Sequence, residues 1–252
     1  MKKYGLTKKY YNESNLLDNQ TIGRIVSKEH EIFKAITEFG VIDAKFTSDF
    51  NYEAKDLLEF PVVGDFVIIE TNQNKINSII QKILKRKNTL IRKREWSSNY
   101  DHVVAANIDT IFVCLSLNNN FNIKKLEAYI SIASKSTAEK VVVLTECYSF
   151  TNIEYILNEI SFVTKGMEVI VTSGMDSDGY KSLKNYIKEG NTVVFIGPEH
   201  DKVKTVTKLL GEIHFENDLL LLPRGGILIN TPEMRELGIE SSDITKKFAN
   251  IR

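Results

Sequence analysis

The chain has 252 residues, and lysine plus arginine equals aspartate plus glutamate at 33 each, so the formal net charge is zero. Hydrophobic residues make up 42% and charged residues 26%, which excludes a disordered or collagen-like chain. No apolar run approaches the ~18–20 residues that span a bilayer, and no apolar stretch typical of a secretory signal follows the first residues. Two cysteines are too few for a disulfide framework or a cysteine-based zinc site. We therefore expect a cytoplasmic protein of one or two domains without a membrane partner.

Residues 20–84 predict a small β-barrel. Five short runs rich in Ile, Val and Phe are separated by turn residues, a pattern typical of consecutive strands. Five such strands suggest an OB-type barrel, which often binds nucleic acid, and the composition fits an SH3-like barrel nearly as well. We assign residues 1–85 to this barrel domain.

The positive charge is concentrated just after the barrel. The 24 residues between Glu70 and Glu95 contain eight bases and no acid, so the rest of the chain has 25 bases against 33 acids. This pattern suits contact with a polyanion, and a solvated strand and linker is the alternative. Trp96 and Tyr100 could stack on unpaired bases or anchor the linker in the core. The candidates for RNA contact, here called the basic strip, are Lys82, Lys85, Arg86, Lys87, Arg92, Lys93 and Arg94.

From about residue 107 the pattern changes to buried strands that alternate with amphipathic helices. The apolar runs include IDTIFVCLSL, KVVVL, EVIV and TVVFI. Asn122 can cap one helix, and Leu183, Tyr186 and Ile187 mark another. The alternation predicts a parallel α/β sheet with flanking helices in residues 86–252, with 86–106 as a basic linker. Ligands bind at the carboxyl ends of the strands in such a sheet.

Segments at four predicted strand ends carry a resemblance. Together with PVVGDFVII and LLPRGGILINTPEMRELGI, they resemble the RsgA (YjeQ) family. Its members are bacterial GTPases that act on the small ribosomal subunit during late assembly. They combine an OB domain, a circularly permuted P-loop GTPase domain and a small zinc-binding domain. The resemblance implies the small ribosomal subunit and its rRNA as partners, and we expect no DNA partner. The four segments begin at Thr145, Thr172, Gly197 and Asn230.

The motifs implied by the resemblance depart from the family pattern. The P-loop pattern GxxxxGK[ST] falls on residues 197–205, where Pro198 lacks an N–H and Glu199 and Asp201 add negative charge. The guanine-reading motif [NT]KxD has become Thr-Glu-Cys-Tyr, so the aspartate that accepts hydrogen bonds from the base is missing. The DTPG motif has become Asn-Thr-Pro-Glu, which removes a charge and a glycine. The remnants of the nucleotide site are Thr145, Ser173, Gly197, Lys204, Thr205 and Asn230.

These departures predict a pseudo-GTPase that keeps the fold but has no catalytic residue. We expect no bound GTP, magnesium or zinc, since the chain also stops before the position of the family's zinc domain. One alternative is a diverged, active GTPase that uses Lys202 or Lys204 with Thr205 and magnesium. A second is an interaction protein unrelated to ribosomes that uses the former nucleotide cleft. His200 lies between two acids, and we expect a solvated loop there rather than a metal site.

Overall fold

The computed structural model describes residues 1–46, 60–71, 78–93, 101–118, 121–147, 152–172, 181–198, 205, 218–222 and 225–230. The chain forms two compact units. Met1–Asp109, Ile187–Val193 and Phe215–Pro232 belong to the first unit, and Thr110–Tyr186, Val194–His214 and Glu233–Arg252 belong to the second. The domain boundary at residue 85 stays a prediction.

The first unit contains a closed five-stranded barrel, with the strand order β1-β2-β3-β5-β4. Antiparallel pairing of β4 with β1 closes it, and β3 pairs in parallel with β5. Strand β5 therefore lies between β3 and β4, a Greek-key order typical of the OB fold, and the OB-type prediction is confirmed. The strands are β1 (Gln20–Glu29), β2 (Ile32–Thr37), β3 (Gly40–Phe46), β4 (Phe66–Glu70) and β5 (Ser78–Ile83).

The barrel has an apolar interior and an N-terminal cover. Ile25, Ile69 and Ile80 are fully buried in one cluster inside the barrel. Helix α1 (Lys8–Ser14) adds Tyr10 to a second cluster, where its ring lies 4.4 Å from the ring of Phe66. Within residues 86–106, strands β6 (Thr89–Lys93) and β7 (Asp101–Ala106) form a two-stranded antiparallel sheet.

A six-stranded sheet has the order β10-β9-β8-β11-β13-β12. Strands β8, β9 and β10 are parallel, whereas β12 and β13 are antiparallel. All seven residues of β8 are buried, as expected for a strand covered on both faces. The predicted α/β sheet is confirmed. Its strands are β8 (Thr110–Ser116), β9 (Glu139–Thr145), β10 (Glu168–Val171), β11 (Thr192–Ile196), β12 (Leu219–Leu221) and β13 (Ile227–Ile229).

Two helices begin at asparagine caps, the first of them the helix predicted to start at Asn122. The side chain of Asn122 accepts a hydrogen bond from the N–H of Lys124 at 2.8 Å and starts α2 (Ile123–Ala133). The side chain of Asn152 accepts from the N–H of Tyr155 at 3.0 Å and starts α3 (Ile153–Ile160). Satisfying these otherwise unpaired N–H groups is what an N-cap contributes. None of the helices described is both long and apolar enough to cross a membrane.

The prediction of an α-helix around Leu183 is wrong. In the part of this segment that the structure describes, from residue 181 onward, there is a 3-10 turn at Ser182–Asn185 and no α-helix. Leu183 and Ile187 are buried, but Gly190 has a positive φ of 81° and the chain enters β11 two residues later. Short 3-10 pieces of this kind are common as connectors.

Candidate functional site

The carboxyl ends of β8, β9 and β10 lie side by side in the second unit. The buried hydroxyl oxygens of Ser116 and Thr145 are 3.1 Å apart. The N–H of Leu117 donates to the carbonyl of Thr145 at 2.7 Å, and the N–H of Thr172 donates to the carbonyl of Leu144 at 2.8 Å. The sheet therefore brings together Thr145 and Thr172, which begin two of the motif segments, and holds both by bonds between strands.

Glu146 stands where the family's guanine-reading motif has lysine. Its φ is 59°, a left-handed conformation that is uncommon for residues other than glycine, asparagine and aspartate. The residue is only 9% exposed, and the side-chain amide of Asn118 donates to its carboxylate at 3.4 Å. This position thus carries a nearly buried acid in place of a base. Tyr148, at the aspartate position of the motif, lies outside the described residues.

Gly197 directly follows β11 and has a conformation that only glycine adopts readily. Its φ is 147°, and a Cβ atom built on it would lie 2.2 Å from the carbonyl oxygen of Cys114. The contact is with the backbone of β8, which cannot swing aside as a flexible side chain can. Glycine at this position is therefore required by packing inside the second unit. Pro198 follows it and has no N–H to offer.

The other predicted remnants are only partly described. Thr205 is helical and fully buried in the second unit. Asn230 belongs to the first unit, where its N–H donates to the carbonyl of Asp218 at 2.8 Å. Several positions lie outside the described residues and stay predictions, among them Ser173, Glu199, His200, Asp201, Lys202 and Lys204.

The basic strip separates into exposed and engaged side chains. Lys82 and Lys85 are exposed. Lys87 is exposed by about half, and its ammonium group forms an ion pair with Asp109. Arg92 and Lys93 fall on β6, while Arg94, like Trp96 and Tyr100, lies outside the described part of the chain. Exposed lysines without ion pairs among the described residues are thus found at the end of β5 and just after it.

Arg86, a member of the basic strip, forms an ion pair with a buried aspartate of the barrel domain. Its Nε and Nη2 atoms donate to the carboxylate of fully buried Asp65 at 2.8 and 2.7 Å, and the N–H of Val62 donates to the same carboxylate at 2.9 Å. Its Nη2 also donates to the carbonyl of Phe60 at 2.6 Å, and its side chain is 15% exposed. Burial raises the pKa of Asp65, while Arg86 and the N–H of Val62 act in the opposite direction. Arg86 therefore holds the first unit together rather than facing a polyanion.

Sequence reasoning missed a second buried arginine, Arg24. It lies on β1, where seven successive residues are buried, and it is itself 1% exposed. Arginine is almost never fully buried without partners, so a base inside an apolar strand was the available signal. Its surroundings could not be read from the sequence, because they come from distant segments of the chain.

Comparison with known proteins shows which family the chain resembles. The model of the RsgA GTPase family matches residues 83–199. The chain is 32% identical over 267 residues to small ribosomal subunit biogenesis GTPase RsgA 2 of Lactiplantibacillus plantarum, covering 99% of this chain and 75% of that protein. It is 26% identical over 254 residues to the protein of the same name from Vibrio parahaemolyticus, covering 93% of this chain and 67% of that protein.

Solved structures agree on the fold. YjeQ from Thermotoga maritima superposes with a TM-score of 0.67 at 20% identity, covering 91% of this chain and 82% of that one. YloQ, described as a circularly permuted GTPase, gives a TM-score of 0.62 at 18% identity and covers 93% of this chain and 80% of that one. An OB-type barrel followed by a permuted GTPase sheet is thus the fold, and the chain belongs to the RsgA family.

Proposed function

We propose that this chain binds the small ribosomal subunit during its assembly and does not hydrolyse GTP effectively. Membership of the RsgA family supports the first half, because the curated relatives are named small ribosomal subunit biogenesis GTPases. The second half depends mainly on Gly197. The one glycine kept from the P-loop pattern is the one that packing against Cys114 requires, whether or not a phosphate is bound.

The residues around Gly197 fit a triphosphate poorly. A P-loop binds phosphate through converging backbone N–H groups and a lysine that reaches the outer phosphates. The next residue here is Pro198, which donates nothing, and Glu199 and Asp201 follow in the sequence. Two like charges about 4 Å apart repel by roughly 4 kcal/mol at an effective dielectric constant of 20. A loop of this composition opposes the anion that a P-loop attracts.

The region that would read the base fits no better. Guanine recognition needs an acceptor for the N–H groups of the base, and the aspartate of that motif is replaced by Tyr148. Glu146, at the lysine position of the motif, adds a nearly buried carboxylate that accepts a hydrogen bond from Asn118. We therefore derive no hydrolytic step for this chain. Magnesium and GTP remain the ligands of the alternative, a diverged GTPase.

Nucleotide titration tests the proposal directly. Calorimetric titration of the chain with GTP, GDP or GMPPNP in the presence of magnesium is expected to give no micromolar binding. The RsgA 2 protein of Lactiplantibacillus plantarum, titrated alongside, controls for nucleotide and buffer quality. Micromolar binding of any of the three nucleotides that depends on magnesium would contradict the proposal, and accompanying phosphate release would establish the diverged GTPase.

Binding to the ribosomal subunit is assigned to the exposed part of the basic strip. Lys82 and Lys85 project from the end of the OB-type barrel without an ion pair among the described residues. Lysines that approach RNA phosphates release counterions, so the binding they contribute falls as salt rises. Arg86 is unsuited to this test, since its replacement would disturb Asp65 in the core.

A double charge reversal, Lys82→Glu with Lys85→Glu, is expected to weaken co-sedimentation with small ribosomal subunits by roughly ten-fold or more at moderate salt. The slope of log affinity against log salt should become shallower by about two. The control reverses Lys135 and Lys165, two exposed lysines of the second unit, and should bind as the unmodified chain does. Equal binding by both double variants would overturn the assignment of the basic strip.

A further inference from the structure

A cavity of about 670 Å³ lies entirely within the first unit. It is lined by the N-terminal segment with α1, by residues of β1 and β4, and by the turn that leads into β11. Its volume falls in the range of roughly 300–1,000 Å³ typical of small-molecule sites. None of the nucleotide-site remnants described in the second unit contributes to it.

Arg24 supplies a buried positive charge to the cavity wall. Its Nη1 donates to the carbonyl of Tyr4 at 2.7 Å, and its Nη2 donates to the hydroxyl of Thr192 at 2.8 Å. Nε and Nη2 also donate to the carbonyls of Gly64 and Asn107 at 3.2 and 3.4 Å. These are four bonds for five N–H donors, and every acceptor is neutral. Within the described residues, no carboxylate forms an ion pair with Arg24.

The rim of the cavity adds to this charge. Lys2 and Lys8 line the cavity and are exposed. Lys87 also lines it, but its charge is balanced by its ion pair with Asp109. Glu189 is the one other acid in the lining, so Lys2, Lys8 and Arg24 outnumber it. Asp109 and Asp65 also act electrostatically on Arg24, but Lys2 and Lys8 leave the lining with more positive than negative groups, which favours an anion.

The remaining wall is apolar and aromatic. Tyr10, Phe66 and Leu6 line the cavity, and Tyr11 contributes a ring that is 63% exposed. The ring of Phe66 already lies under the guanidinium of Arg24, 4.9 Å from it. Aromatic faces beside cationic groups suit a ligand that combines a planar ring with a negative charge.

We infer that this cavity binds a nucleotide-like organophosphate, with its phosphate drawn to Arg24, Lys2 and Lys8 and its ring against the tyrosine side of the wall. The shared chemistry is a phosphate monoester attached to a base. It is found both in free nucleotides and at the 5′ end of an RNA strand. The site is separate from the proposed loss of GTP binding, because its lining belongs to the first unit.

The test is calorimetric titration of the full chain with AMP, without magnesium. AMP is expected to bind with a submillimolar dissociation constant, and adenosine and inorganic phosphate should each bind at least ten-fold more weakly, since each provides half of the contacts. Lys8→Glu should weaken AMP binding about five-fold or more. Lys9→Glu is the matched control, because Lys9 is adjacent on α1, exposed and outside the lining, and it should change binding less than two-fold.

A second arm identifies the source of the phosphate. A 5′-phosphorylated trinucleotide that binds at least ten-fold more tightly than AMP, and loses that advantage when dephosphorylated, indicates an RNA end. Equal or weaker binding of the trinucleotide indicates a free nucleotide. Absence of AMP and trinucleotide binding up to millimolar concentration would overturn the inference, as would equal losses in the Lys8→Glu and Lys9→Glu variants. Circular dichroism spectra of both variants confirm that the fold is intact.

Discussion

Replacing Gly197 with alanine is expected to lower the free energy of unfolding by roughly 3–5 kcal/mol. The new Cβ atom would meet the carbonyl oxygen of Cys114 at 2.2 Å, and the φ of 147° is unfavourable for any residue with a side chain. Both costs arise without any ligand. The two strands β8 and β11 would have to separate to relieve the clash, and β8 is buried along its whole length.

Gly166→Ala is the matched control in the same unit. Gly166 also has a positive φ, 78°, but a Cβ atom built there meets nothing within 4 Å. Its replacement therefore adds backbone strain without a clash and should cost about 1 kcal/mol. Urea denaturation followed by circular dichroism measures both. Equal losses in the free energy of unfolding at the two positions would show that packing does not explain the glycine at position 197. The main support for the view that this glycine is kept for structural reasons alone would then be lost.

The fold could be predicted from local patterns because its strands are short apolar runs between clear turns. Residues 20–84 gave five strands at the observed places, and Asn122 capped the helix expected there. The choice between an OB-type and an SH3-like barrel needed the parallel pairing of β3 with β5, which is a contact between distant segments. The apolar spacing near Leu183 predicted an α-helix, but the described residues there form a 3-10 turn followed by a left-handed glycine at position 190.

The site could be predicted less well. A count of charged residues does not distinguish a lysine or arginine exposed to solvent from one that is bonded inside the core. Arg86 and Asp65 are 21 residues apart and are brought together by the antiparallel pairing of β4 with β5. Arg24 bonds to Thr192, 168 residues away in the chain. The composition of the basic strip therefore overestimates the number of its side chains that are available to RNA. The only sequence signal of the cavity beside Arg24 is an arginine on an apolar strand.

Replacing Asp65 with alanine is expected to destabilise the chain by roughly 3–5 kcal/mol, as is typical when one partner of a buried ion pair is removed. The variant leaves the guanidinium of Arg86 and the N–H of Val62 without the carboxylate of fully buried Asp65. The double variant Asp65→Leu with Arg86→Met removes both charges and should recover most of this loss. Thermal and urea unfolding of the three proteins measure these differences.

An exposed pair in the same barrel provides the comparison. Lys34 and Glu29 lie 3.3 Å apart with side chains 36% and 67% exposed, so Glu29→Ala should cost at most about 1 kcal/mol. If Asp65→Ala were equally mild, the guanidinium of Arg86 would be able to leave its buried partner. Arg86 would then return to the candidates for RNA contact, and reversing Lys82 and Lys85 alone would understate what the strip contributes. A large loss at Asp65, recovered by the double variant, assigns Arg86 to the core and removes it from the candidates for RNA contact.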